Sequence, residues 1–483
     1  MSRQTLRSHP KSRRSRGGAA TASADSPDLA IAPELATAIE ILPVAELKAY
    51  RRKLKNHKDE DVHQIAWSIA EFGFNNPIII DQGSVVVAGH GRLAAALKLG
   101  LAAVPVIRLT HLTPERLQAY RIADNVLASR VQLDKEVLRV ELVELLSLDL
   151  PFDIEVTGLK MAEIDLIIDP VEGHDSDPDD ELPDEPAVPV SRLGDIWILG
   201  RHRLACADAR ESWGPLLGDR LATAVITDSP YNLPARAIGG LGSIKHANFQ
   251  HGSGEMSRSE FVAFLAEVHA RLAENCVDGA LLYSFIDWKH QRELLEAGER
   301  AGLNYYHLIV WNKTNAGMGS MYRSKHELVV VFKKGIAPHQ NNVQLGKYGR
   351  WRANVWDYAG ANTFRRGRME ELGSHPTPKT VRMLEDALRD CTRRGDLVLD
   401  AFMGSGSTII AAERCGRCAA GTEIDPVYSD VTIRRWEART GERAVHAETG
   451  MSYAQMAEQR ARPGQGSFEA GGAEPELRDD AAA

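Results

Sequence analysis

Apolar and polar positions alternate in two long patterned stretches, and the segments before, between and after them lack any such pattern. In the first stretch Val62, Ile65, Ile69 and Phe72 recur at helical spacing, and Gly73 stands where that helix would stop. Ile78 to Ile80 and Val85 to Val87 flank the turn residues Asp81, Gln82 and Gly83, which predicts a hairpin. The loop Gly89-His90-Gly91-Arg92 then opens a helix over 93–99 that Gly100 ends, and residues 104–107 predict one more strand. Residues 114–168 read as further helices. A glycine loop at a helix start leaves outward N–H groups that suit an anion, although a tight cap needs the same residues.

The second stretch holds short, wholly apolar runs of the kind expected for strands buried on both faces. Residues 222–227 form one such run and lead into Asp228-Ser229-Pro230-Tyr231-Asn232. A second, 396–400, ends at Asp400 and leads into Ala401-Phe402-Met403-Gly404-Ser405-Gly406-Ser407-Thr408 and a helix over 409–414. A third, 419–422, runs into Glu423-Ile424-Asp425, and 328–332 reads as another buried strand. Strand, glycine loop, helix, strand and acid is the layout of a nucleotide-cofactor site: glycines let the ligand approach the backbone, and the acid accepts from ribose hydroxyls. A phosphate-binding loop would need a lysine after Gly406, and a nicotinamide fingerprint would need Gly or Ala at Ile409, so neither fits.

Asp-Ser-Pro-Tyr suits methylation of an exocyclic amino group. The lone pair of that nitrogen is delocalised into the base ring, which makes it a poor nucleophile. A carboxylate (Asp228) and a backbone carbonyl can accept its two N–H groups and raise the electron density on nitrogen. Pro230 favours an extended backbone at Ser229, which would aim that carbonyl inward. Tyr231 offers a flat face to a base swung out of its stack.

Charge first argues against a nucleic-acid partner, since the 483-residue chain carries a net -8. Its distribution reverses that argument. Residues 1–36 begin with six bases and no acid and read as a disordered basic tail; residues 171–190 carry eight acids and no base, an extended, self-repelling linker. Residues 191–440 are left at +5, and residues 312–368, with eleven bases against two acids, at +9. Interleaved with aromatics, the bases of that segment suit phosphate and base contacts; Lys347, Arg350, Arg352, Arg365, Arg366 and Arg368 are the candidate DNA contacts. Five cysteines make no disulfide framework and suit a reducing cytoplasm. No apolar run approaches the ~18 residues of a membrane span. Cys415 and Cys418 lack a second pair at ligand spacing, so no metal is expected.

The helix, the Asn76-Pro77-Ile78 strand entry, the Gly-x-x-Arg-Leu-Ala-Ala helix start and the Val-Pro-Val strand resemble the N-terminal domain of ParB-type partition proteins. In that family the loop can hold nucleotide phosphates, which leaves open a nucleotide at Gly89–Arg92, as it leaves open a homodimer. Residues 191–440 resemble amino-directed DNA methyltransferases of the permuted class. The match runs through His202–Asp208, Asp228–Asn232, Trp311–Lys313, His375–Lys379, Asp400–Thr408 and Glu423–Asp425. This resemblance implies S-adenosylmethionine as cofactor, double-stranded DNA as partner and a Rossmann-like α/β fold with a seven-stranded, mostly parallel sheet.

By the same resemblance Asp228, Ser229, Pro230 and Tyr231 would be catalytic. Asp400, Phe402, Gly404, Gly406, Ser407, Thr408, Glu423, Asp425, His375 and Lys379 would bind the cofactor. Ser229 stands where the family usually has proline. An Asp at the first position resembles adenine-N6 enzymes, with cytosine-N4 methylation, RNA methylation and a non-catalytic ParB-like DNA-binding factor as alternatives. The expected order is a tail (1–36), a ParB-like domain (37–170), the acidic linker (171–190), the methyltransferase domain (191–443) and a disordered tail (444–483).

Overall fold

Strands β1 (Ile39–Pro43), β2 (Ile78–Asp81), β3 (Val86–Ala88) and β4 (Ala103–Leu109) pair in the order β1-β4-β2-β3, with β2 and β4 parallel and the outer pairs antiparallel. They belong to the first of two compact units in the computed structural model, which describes residues 39–51, 57–130, 133–148, 150–169, 177–183, 185–186, 188–211, 213–232, 256–314, 316, 321–360 and 379–461. The hairpin turn is held by Asp81, whose Oδ1 accepts the N–H groups of Gly83 and Val85, each at 2.9 Å. Ile78, Ile80, Val86, Leu93, Val104 and Val106 form the core of this unit. The helix expected over 93–99 begins earlier and spans His90–Lys98, because Gly89 takes φ +99° as its N-cap. Gly91 therefore lies in the first helical turn. A Cβ there would meet Ile65 Cδ1 at 2.8 Å, so this glycine permits close packing on the helix Asp59–Phe72.

The second unit contains residues 134–150 and 159–461 of the described chain and is built on a ten-stranded sheet. Its strands are β5 (Ile196–Leu199), β6 (His202–Cys206), β7 (Ala222–Asp228), β8 (Cys276–Ile286), β9 (Asn304–Lys313), β10 (His326–Lys333), β11 (Val355–Tyr358), β12 (Leu397–Asp400), β13 (Cys418–Glu423) and β14 (Val445–His446). They lie in the order β11-β9-β10-β8-β7-β12-β13-β6-β5-β14. The central seven, from β9 to β6, are the expected mostly parallel sheet with one antiparallel member, β10; β11, β5 and β14 extend its edges.

Successive residues of the central strands alternate between two cores. Ala224, Ile226, Val329, Val331 and Val398 face the helices Val381–Cys391 and Ser407–Arg414. Val225, Val330, Leu397 and Leu399 face the helices Arg258–Glu274 and Gln291–Arg300. Both sheet faces are covered, which is why these strands read as unbroken apolar runs.

Three expectations differ from the structure. The helices Lys135–Ser147 and Met161–Ile168 group with the second unit, although the sequence placed them in the first. Their anchor is Asp165, fully buried, whose oxygens take Arg417 in a bidentate pair at 2.7 and 3.1 Å and Arg394 at 3.0 Å. The acidic segment expected to be extended and self-repelling is docked where it is described. Asp177 and Asp179 pair with Arg414, Asp179 with Arg439 at 3.1 Å, and Asp180 Oδ1 accepts the Val381 N–H at 2.8 Å. The tail expected to be disordered from 444 instead adds β14 and the helix Tyr453–Ala461, pinned by Arg460 and His446 on Asp195. Arg414 and Arg439 neutralise the acidic segment, and Asp195 holds the two cations of the tail; composition cannot disclose partners so far away in sequence.

Candidate active site

Three neighbouring parallel strands, β7, β12 and β13, end in acids: Asp228, Asp400 and Glu423. Leu399 pairs with Val225 and Asp400 with Gly421, so residues far apart in sequence meet at one end of the sheet. Ligands in such sheets lie beyond the carboxyl ends of the strands, where the loops diverge.

After β12 the chain turns tightly around Asp400. Its Oδ1 accepts the Phe402 N–H at 3.0 Å and its Oδ2 the Thr408 hydroxyl at 2.6 Å. Gly404 and Gly406 take φ of +55° and +83°. A Cβ on Gly406 would strike Thr432 Cγ2 at 2.7 Å, whereas one on Gly404 would meet nothing within 4 Å and would project into open space. Glu423 spans the mouth of this loop: Oε2 accepts the Gly404 N–H at 2.7 Å and Oε1 the Asp425 N–H at 2.9 Å. Burial pushes the Asp400 carboxyl up to about 8, helped by the charges of Asp228 and Glu423 and opposed by Thr408 and the Phe402 N–H. Burial pushes Glu423 up to about 7 against its backbone N–H donors. Such a set of hard-to-ionise acids beside an open glycine turn fits a cationic ligand bearing hydroxyl groups, as a sulfonium nucleoside is.

The remaining expected cofactor residues divide by burial. Phe402 is half-buried, 6.1 Å from the Phe264 ring. Ser407 and Thr408 are buried; Ser407 Oγ accepts from Arg435 at 3.1 Å and Thr408 serves Asp400, so both side chains shape the loop from behind. Asp425 caps the helix Pro426–Thr440 through Val427 N–H at 2.8 Å. His375 lies outside the described residues. Lys379 is buried, and its ammonium reaches the end of β7, 3.0 Å from Asp228 Oδ2.

Asp228 sits in a network the sequence did not disclose. Tyr231 donates its hydroxyl to Asp228 Oδ1 at 2.9 Å, and Lys379 donates to the Tyr231 oxygen at 3.2 Å and to Glu327 Oε2 at 2.9 Å. Glu327 also pairs with Lys313. Burial raises the Asp228 carboxyl, with Lys379 opposing and Glu327 adding to the rise. Burial works against the Glu327 charge too, but Lys379 and Lys313 outweigh it and hold that carboxyl down at about 2. Ser229 is buried, and its hydroxyl finds no partner among the described residues; Pro230 is half-buried. Asn232, at φ +51°, closes the turn after β7 by binding Met256 through both side-chain amide atoms, at 2.8 and 3.3 Å. Residues 233–255 lie outside the described residues.

Glu327 was missed because β10 runs antiparallel, so its first residues, not its last, lie level with the carboxyl ends of β7 and β8. The available signal was the acid that opens an apolar strand, beside the Trp311-Asn312-Lys313 motif with which it pairs in register.

The basic segment divides in the same way. Lys347 is exposed, its ammonium 4.8 Å from the Tyr348 ring centroid. Arg350, expected on DNA, is only 4% exposed and binds Asp390 at 2.6 Å and the Asp386 carbonyl at 3.1 Å. Arg352 binds Asp390 at 2.9 Å and the Tyr358 hydroxyl at 2.8 Å. The Arg350 guanidinium is held on the acidic face of the helix Val381–Cys391, and Arg352 is held through Nε and Nη1 by Asp390 and Tyr358, which argues against both as phosphate contacts. Arg365, Arg366 and Arg368 lie outside the described residues. Among the described residues no helix is long and apolar enough to cross a membrane.

Comparison with known proteins agrees with this division of the chain. Residues 222–434 match the N6/N4 family model described as DNA methylase, residues 136–193 the ParB-methyltransferase HTH domain and residues 31–126 the ParB N-terminal domain. The chain is 43% identical over 76 residues to the ParB-like nuclease domain-containing protein YnaK of Escherichia coli K12, covering 16% of this chain and 87% of that protein. It is 32% identical over 149 residues to the type II methyltransferase M2.DpnII of Streptococcus pneumoniae, covering 29% of this chain and 54% of the relative. The chain thus spans about half the length of this curated methyltransferase. The solved structure of the M1.HpyAVI–SAM complex aligns with a TM-score of 0.34 at 20% identity, covering 45% of this chain and 89% of that one. The chain carries an N6/N4 DNA methylase domain, homologous to the type II methyltransferases, behind a ParB-like N-terminal domain.

Proposed function

We propose that the protein is a cytoplasmic, site-specific DNA methyltransferase that transfers a methyl group from S-adenosylmethionine to the exocyclic N6 of adenine in duplex DNA. The observation that carries this reading is the placement of Asp228, at the end of β7, and Tyr231, in the turn that follows it, beside the strand that opens the Gly404–Gly406 turn. When bound, the cofactor supplies an electrophilic methyl group on a sulfonium centre. Glu423 would accept from its ribose hydroxyls, Phe402 and Gly404 would line its base, and the acids around the turn would favour its positive charge. Asp228 would accept one N–H of the target amino group and so raise the electron density on its nitrogen, and the Ser229 carbonyl would accept the other. The Tyr231 ring would support the extruded base. Lys347 is the described member of the proposed DNA-contacting set that remains exposed.

Incubating duplex DNA and RNA separately with methyl-labelled S-adenosylmethionine tests the reading. Label recovered as N6-methyladenine in DNA supports it. Label as N4-methylcytosine replaces the target base, label in RNA alone replaces the polymer, and no incorporation leaves a DNA-binding factor on a methyltransferase scaffold.

A further inference from the structure

Tyr231 has one hydroxyl proton and two carboxylates within reach of it: Asp228 Oδ1 at 2.9 Å and Glu327 Oε2 at 3.3 Å. Lys379 has the same pair of acceptors, Asp228 Oδ2 at 3.0 Å and Glu327 Oε2 at 2.9 Å. Both oxygens of Asp228 are therefore taken in the absence of a target base. An amino group that arrives to donate to Asp228 competes with donors already there, and a donor displaced inside a buried site is costly if it finds no new acceptor. Glu327 is that acceptor. It lies next to both donors, its other oxygen is fixed by Lys313, and its low pKa keeps it ionised.

We propose that Glu327 is a positioning residue for methyl transfer: it receives the Tyr231 hydroxyl, and more of the Lys379 ammonium, when the target amino group takes over Asp228. The proposal rests on the methyltransferase reading above. Asp228, Glu327, Lys379 and Lys313 together carry no net charge. Removing the charge of Glu327 leaves Lys379 to Asp228 alone, which holds Asp228 to its resting partner and weakens it as an acceptor. Groups facing Asp228 are Lys379 from the segment before the helix Val381–Cys391, Glu327 from β10, Tyr231 from its own turn and Asp400 from β12. Of these, Glu327 and Asp400 raise its pKa and Lys379 lowers it, so loss of the Glu327 charge moves the pKa down.

The test compares wild-type protein with Glu327→Gln and Glu327→Asp in the labelled-methyl assay across pH. The expected result for Glu327→Gln is a kcat lower by about tenfold or more, an unchanged KM for DNA, and an acidic limb of kcat/KM displaced to lower pH; Glu327→Asp restores the limb. An unmoved limb overturns the role, whether or not kcat falls, since a packing defect lowers activity without shifting the titration of Asp228. Failure of the underlying reading shows separately, as wild-type protein that labels no DNA. In that event carbon NMR of labelled aspartate carboxyls still decides: Asp228 titrating lower in Glu327→Gln supports the exchange, and an unmoved titration overturns it.

Discussion

The ammonium of Lys379 lies 3.0 Å from Asp228 Oδ2 and is equally close to Glu327, so one buried cation serves two carboxylates. Burial works against the charge of Lys379, but the two acids hold it protonated. Lys379→Met should leave those acids facing one another without their shared cation. The Asp228 pKa then rises, and the acidic limb of kcat/KM moves to higher pH by on the order of one unit. That direction is opposite to the one expected for Glu327→Gln, and opposite shifts cannot both arise from general loosening of the site. Stability should also fall, by about 3–5 kcal/mol, because removing one partner strands buried charge. A pH–rate profile and a urea titration check the two parts.

Asp400 and Glu423, pushed up to about 8 and about 7, predict how cofactor binding and stability depend on pH. Each carboxyl binds its proton more tightly in the folded protein than in the unfolded chain. Their contribution to stability is therefore present below the unfolded pKa and is lost as pH rises through 7 and 8. The melting temperature of the ligand-free protein should fall across that window. A sulfonium ligand favours the ionised acids, so its affinity should rise over the same window, with net proton release. Calorimetry in buffers of different ionisation enthalpy measures the release; binding that is independent of pH from 6 to 9 contradicts the assignment of these acids to the cofactor.

The glycine turn separates a fold effect from a ligand effect. Gly406→Ala drives a Cβ against Thr432 at a positive φ, so it should destabilise the protein as a whole. At Gly404 the added methyl meets no protein atom, and only the backbone strain of about 1–2 kcal/mol remains. Gly404→Ala should therefore stay folded and lose affinity for S-adenosylmethionine by about tenfold or more, since the space it fills is the space proposed for the ligand. Calorimetry beside a melting curve distinguishes the two variants.

Much of the site was legible from sequence because its parts are local. Asp228-Ser229-Pro230-Tyr231 and Asp400–Gly406 each end a buried strand, and parallel strands bring their carboxyl ends together without further information. What was not legible depends on partners distant in sequence. Glu327 enters from the beginning of an antiparallel strand. Arg350 looks like a phosphate contact until Asp386 and Asp390 consume its guanidinium. Asp177, Asp179 and Asp180 look self-repelling until Arg414, Arg439 and the first amide of the helix Val381–Cys391 donate to them.

Those partners predict where the chain can be cut. Deleting residues 1–133 keeps Asp165 on Arg417 and the acidic segment on Arg414, and should leave a methylase unit that melts close to the full-length value. Deleting residues 1–190 strands Arg417, as Asp165→Ala alone does, and leaves Arg414 with Glu385 as its remaining acid. A buried, unpaired guanidinium costs about 3–5 kcal/mol, equivalent to a drop on the order of 10 °C. Equal melting of the two truncations contradicts this account.

Arg350 and Lys347, three residues apart, should separate fold from DNA contact. Lys347 is exposed, its ammonium over the Tyr348 ring; Arg350 is buried against two aspartates. Lys347→Ala should leave the melting temperature unchanged and reduce the slope of log affinity against log salt by about one, the signature of one lost phosphate contact. Arg350→Ala should leave that slope unchanged in whatever protein remains folded, while destabilising the unit by about 3–5 kcal/mol, because Asp386 and Asp390 lose a buried partner. Binding isotherms at several salt concentrations, set beside thermal melts, read both variants. A reduced slope for Arg350→Ala would return that arginine to the DNA surface and require its ion pairs to open on binding.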